Sequence, residues 1–61
     1  MTLRVLVVED DREIRTYMQS ALAVEGFDVL TAVSLSEAGA ILRYDSPDLV
    51  LLDLGLPDGD G

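Results

Sequence analysis

Apolar residues recur along the chain in two alternating patterns. Short apolar-rich runs occur at Leu3 to Val8 (LRVLVV), Phe27 to Ala32 (FDVLTA) and Leu49 to Leu52 (LVLL). Each is too short for a helix and reads as a strand. The third, with no polar alternation, reads as a strand buried on both faces, as in a parallel sheet covered by helices. Between the runs the spacing changes to that of a helix. Residues 11–25 place Ile14, Met18, Ala21, Leu22 and Glu25 on one stripe, of which only the last is polar. Asp10 or Asp11 can cap that helix at its start, and Gly26 is placed to end it in the left-handed conformation.

The second helix opens on a capping-box signature, Ser34 followed by Glu37, and carries Leu35, Ala38, Ile41 and Leu42 on one face. Gly39 inside it costs about 1 kcal/mol relative to Ala, a cost that close packing on the sheet would explain. Asp45-Ser46-Pro47-Asp48 breaks the helix and launches the third strand. Asp28, at the start of the second strand, is expected to face solvent or lie near an edge. The order is strand-helix-strand-helix-strand, an α/β pattern in which parallel strands are joined by right-handed crossovers.

This arrangement brings acids to strand ends. Val5 to Val8 runs directly into Glu9-Asp10-Asp11, and Leu49 to Leu52 runs directly into Asp53 and the loop LGLPDGDG. In open α/β sheets the carboxyl edge of the strands is where ligands bind. Two adjacent parallel strands ending in carboxylates gather three or four acids, and such a cluster requires a cation. Asp58 and Asp60 belong to Asp-Gly pairs, which is turn chemistry, and Asp11 reads as a helix cap.

The charge balance sharpens this picture. Among 61 residues there are 12 acids and four basic residues, a formal net charge of -8. All four basic residues are arginines (Arg4, Arg12, Arg15, Arg43), so the chain has no lysine. Such a balance argues against nucleic-acid binding by this piece itself. Without Cys or His, disulfides and zinc sites of the common kind are excluded. A cysteine-free chain with neither a signal segment nor a membrane-length apolar run is expected in the cytoplasm. At this length a single small domain is the most that can form, burying roughly 60% of its unfolded surface. The last strand should have a neighbour on each side, yet the sequence stops at Gly61. The expectation is that residues 1–61 are the N-terminal half of a larger domain, or a half-domain that completes itself with another chain.

The motifs LVVEDD at 6–11, GFDVLTA after the first helix and PDLVLLDLGLPDGDG at 47–61 resemble the receiver domain of bacterial two-component response regulators. The wording is most similar to regulators carrying a C-terminal winged-helix DNA-binding domain. The resemblance spans the whole chain but only about the first half of a receiver domain. It implies the β-α-β-α-β half of a flavodoxin-like doubly wound parallel sheet in strand order 2-1-3, truncated and completed by dimerisation. It also implies that Asp53 accepts a phosphoryl group from a sensor histidine kinase. Mg2+ would be held directly by Asp10, by Glu9 through a water, by Asp53, and by the backbone carbonyl of Gly55. Contact with nucleic acid would come only through a C-terminal output domain outside this chain, and none with membrane.

Mg2+ prefers oxygen ligands and keeps several waters, so one or two carboxylates and a carbonyl suffice. Gly55 and the Pro57 turn let the loop fold back to present that carbonyl. The family's hydroxyl residue on strand four, lysine on strand five and aromatic switch residue are missing here. The chain alone is therefore expected to bind Mg2+ weakly and to be phosphorylated poorly. The resemblance makes helix one, bearing Arg12 and Arg15, the kinase-facing helix, although both arginines are expected first as solvated surface residues. Tyr17 and Tyr44 read as packing or surface aromatics. Two other classes stand beside the signalling module. One is a homodimer formed through the exposed third strand, without signalling activity. The other is an Asp-dependent phosphatase, disfavoured because Asp53 is followed by Leu-Gly-Leu rather than the D-x-D-x-T wording, so no enzyme is expected.

Overall fold

The computed structural model describes residues 2–52. They form β1 (Arg4–Val8), α1 (Arg12–Val24), β2 (Asp28–Ala32), α2 (Leu35–Tyr44) and β3 (Leu49–Leu52). The three strands make one parallel sheet in the order β2-β1-β3. Arg4 pairs with Asp28 and Val8 with Ala32 on one side, while Val5 pairs with Leu49 and Val8 with Leu52 on the other. This is the strand order and direction that the sequence resemblance implies.

The β1 run LRVLVV becomes the central strand, and its side chains alternate between the two faces of the sheet. Leu6 and Val8 lie in a cluster with Ala32 and Ala38, against which Leu30 and Ile41 pack. That is the α2 face of the sheet. Val5 and Val7, equally buried, alternate onto the opposite face. α1 packs on β1 and β2 without touching α2. Two right-handed crossovers that run in opposite directions along the sheet, β1 to β2 and then β2 to β3, place their helices on opposite faces, as this separation requires.

The helix ends follow their sequence signals. The Asp11 side chain accepts from the Glu13 and Ile14 amides (2.9 and 3.0 Å) and caps α1; Asp10 does not take that role. At the other end Gly26 adopts φ 98°. The Gly26 N–H donates to the Ala23 carbonyl and the Phe27 N–H to the Leu22 carbonyl, the paired bonds of a Schellman turn. Ser34 Oγ accepts from the Glu37 N–H at 3.1 Å. In return Glu37 Oε1 accepts from the Val33 N–H (2.7 Å), one residue before the cap, rather than from that of Ser34.

Three expectations need correction. Leu49, Val50 and Leu52 are exposed and only Leu51 is half-buried, so β3 is not covered on both faces. Among the described residues its one strand neighbour is β1. An all-apolar run states that a strand can be buried; it does not supply the covering elements. The α1 stripe is narrower than its spacing implies: Met18 and Leu22 are half-buried, while Ile14, Ala21 and Glu25 are exposed. Gly39 does not approach the sheet closely, because a Cβ there would meet nothing within 4 Å.

Candidate functional site

The carboxyl edge of the sheet is built around Glu9, the first residue past β1. Its N–H donates to the Ala32 carbonyl at 3.0 Å, extending the β1–β2 ladder one step. Its own carbonyl accepts from Arg15 Nη1 of α1 at 3.1 Å. Its carboxylate oxygen Oε2 accepts from the Asp11 N–H at 2.9 Å. β2, α1 and the turn into α1 thus each fix one group of the same residue, and its solvent exposure is 0%. A carboxylate removed from water is costly unless charge and hydrogen bonds compensate it. Asp10, the next residue, is exposed. The chain therefore presents one enclosed and one open acid side by side at the strand end.

The two acids contribute hard oxygen donors, the type Mg2+ selects. Among the described residues no group of three or more potential ligand side chains is gathered. The other expected participants, Asp53 and Gly55, lie outside the described residues, as do Pro57, Asp58 and Asp60. What is described of β3 is its register. Leu52 pairs with Val8, and the residues next in sequence are Asp53 and Glu9 respectively.

Arg15 is not simply solvated. It is half-buried, and its hydrogen bond to the Glu9 carbonyl ties α1 to the strand end. Arg12, like Tyr17 and Tyr44, is exposed.

At the opposite edge of the sheet, Arg4 forms a hub that the sequence alone does not reveal. Its guanidinium donates to Asp45 Oδ1 at 2.7 Å and lies 3.7 Å from Asp28. Its backbone N–H donates to Asp48 Oδ2 and its carbonyl accepts from the Asp48 N–H, both at 2.8 Å. The hydrogen bond and the charge of Asp45, with smaller help from Asp28 and Asp48, raise the Arg4 pKa above its already high ordinary value. The cation therefore persists at any practical pH.

Comparison with known proteins places this architecture. Residues 5–61 match the response regulator receiver domain. The chain belongs to that family. Among curated relatives, this receiver sequence is 41% identical over 61 residues to a transcriptional regulatory protein KdpE of Staphylococcus aureus, covering all of this chain and 26% of the relative. It is 46% identical over 57 residues to the KDP operon transcriptional regulatory protein KdpE of Escherichia coli, covering 93% of this chain and 25% of the relative. To a response regulator MprA of Mycolicibacterium vanbaalenii it is 39% identical over 61 residues, again all of this chain and 26% of the relative. The receiver sequence thus spans about a quarter of the length of the curated relatives it matches. No solved structure matches it at a significant level. Among the described residues no helix is long and apolar enough to cross a membrane.

Proposed function

We propose that the chain is the phosphoacceptor part of a response regulator in two-component signalling, with Asp53 receiving a phosphoryl group from a sensor histidine kinase. The observation that carries this reading is the pairing of Val8 with Leu52, because the acids Glu9-Asp10 and Asp53 are the residues that follow each. Glu9, Asp10 and the Gly55 carbonyl would hold Mg2+ together with Asp53. Bound there, the ion would offset the charge of the acids and of the incoming phosphoryl oxygens. An Asp53 oxygen attacks phosphorus, the bond from phosphorus to the kinase histidine nitrogen breaks, and an acyl phosphate forms. Glu9, with its backbone tied to β2 and α1, acts as the fixed donor, and exposed Asp10 as the adjustable one.

Having no lysine, the chain cannot itself set that side chain against the transferred group, so its own labelling is slow. Residues 1–61 act on this reading as the N-terminal half of a receiver domain within a cytoplasmic regulator. The relatives named transcriptional regulators support an output on nucleic acid through a domain outside this chain. The exposed α1 face of Arg12, Glu13, Thr16 and Tyr17, which lines an open depression, suits a protein partner such as the kinase. The role is one of signalling rather than turnover.

Incubation with acetyl phosphate and Mg2+, followed by mass spectrometry, tests the proposal. Slow, chelator-sensitive labelling confined to Asp53 and absent from Asp53→Asn supports it. Labelling elsewhere, or labelling indifferent to chelator, removes the support. Fast stoichiometric labelling would overturn the claim that this chain is a poor acceptor by itself.

A second reading is favoured by the exposure of Leu49, Val50 and Leu52 on β3. A strand with one described neighbour and apolar side chains in solvent is a template for pairing, and a twofold homodimer is the simplest closed form. Sedimentation equilibrium with circular dichroism across a concentration series decides it. A dimer whose helicity falls on dilution supports self-association, and a folded monomer at all concentrations rejects it.

A further inference from the structure

The sheet contains a register problem that its apolar residues do not solve. β3 is LVLL, so sliding it one residue along β1 exchanges leucine for valine and changes little else. Strand register is strongly specified where one face is buried and the other polar, and weakly specified without such contrast. Here the contrast is small, with Leu49, Val50 and Leu52 at 53%, 40% and 46% exposure. Yet a slip by one residue would displace whatever follows Leu52 by a full rung relative to Glu9.

Resting on the reading of Asp53 as phosphoacceptor, we propose that Asp48 is the residue that sets the register of β3, and is thereby a positioning residue for Asp53. Asp48 stands one rung before the first β1–β3 pair, Val5 with Leu49. Its carboxylate takes the Arg4 N–H at 2.8 Å, and its own N–H returns a 2.8 Å bond to the Arg4 carbonyl. Neither neighbouring position can do both. If β3 slides so that Asp48 meets Val5, Pro47 comes opposite Arg4 with no N–H to offer its carbonyl. If it slides the other way, Leu49 comes opposite Arg4 with no side-chain acceptor for its N–H. The Arg4 guanidinium meanwhile holds Asp45 at 2.7 Å, anchoring the segment that leads into Asp48.

The test is NMR on the isotope-labelled 61-residue chain, reading cross-strand contacts for register and Glu9 and Asp10 amide shifts for Mg2+. In Asp48→Ala the contacts Val5–Leu49 and Val8–Leu52 give way to slipped pairings, while the Arg4–Asp28 and Val8–Ala32 contacts persist. The native register loses about tenfold in population, as expected for a charge-assisted hydrogen bond. Mg2+ affinity falls in parallel. Asp48→Asn, which keeps an acceptor oxygen, restores register and affinity. Asp45→Ala removes an equal charge and lowers stability but leaves the register native, which separates positioning from general stabilisation. Retention of the native β1–β3 contacts in Asp48→Ala overturns the proposal. Should Asp48→Ala lose both pairings, Asp48→Asn decides: native register supports the proposal and a slipped one overturns it. Absence of any Mg2+ response in the unmutated chain rejects the metal reading, and the strand contacts still decide the role of Asp48.

Discussion

The two ends of the sheet hold similar numbers of acids and treat them in opposite ways. At the amino edge Asp28, Asp45 and Asp48 surround Arg4, which answers two of them with its guanidinium and the third with its backbone. At the carboxyl edge the donors reaching the Glu9 and Asp11 carboxylates include backbone amides, and Arg15 gives a hydrogen bond to a main-chain carbonyl. Asp10 takes part in no ion pair among the described residues. The first edge carries its own counter-charge and is built to stay closed. The second keeps acid density at a point where three elements meet, which on the proposed function is where a cation would bind.

That contrast can be broken or sharpened by experiment. The largest effect is expected at Glu9. In Glu9→Ala the chain loses the stabilisation that Mg2+ confers, about 2.7 kcal/mol at a hundredfold excess over Kd, seen as a melting curve no longer moved by the ion. Next comes Arg4→Met, which leaves Asp28, Asp45 and Asp48 without their cation. Its urea midpoint falls, its Mg2+ response is retained, and the difference from the parent narrows in 1 M salt because exposed ion pairs are screened. Asp11→Ala removes the α1 cap and costs about 1 kcal/mol, with reduced helicity by circular dichroism. The smallest change in stability belongs to Asp10→Asn, within about 0.5 kcal/mol as for other exposed sites. Yet calorimetric titration shows Mg2+ binding weakened in it. If Arg4→Met rather than Asp10→Asn abolished the Mg2+ response, the assignment of the two edges would be reversed.

Much of the fold was legible in the sequence because its signals are local. Asp11, Gly26 and Ser34 each satisfy backbone groups within three or four residues, so composition and spacing reveal them. The parallel order follows from crossover handedness and the family resemblance. What was not legible depends on residues brought together from afar. Arg4 reads as an interruption in an apolar run, and Asp48 as part of a helix breaker, although they meet across 44 residues. Glu9 and Asp10 are adjacent acids in the sequence, and only the packing of β2 and α1 encloses one while leaving the other open. The exposure of β3 was misjudged for a related reason, since a sequence run records affinity for a core rather than the presence of one.

The central place of β1 has a further consequence, for the order in which the chain can fold. β1 is made first and waits for β2, which closes a loop through α1; β3 must close a loop nearly twice as long, with Arg4 meeting Asp28 but Val5 meeting Leu49. Loop-closure entropy separates the two steps by only about 0.6 kcal/mol, so either pairing is thermodynamically accessible. Synthesis favours the first pairing, because β1, α1 and β2 are all made before β3. A strand joining that edge then has one decision left, which rung to take, and Asp48 is made just ahead of the residues it would place.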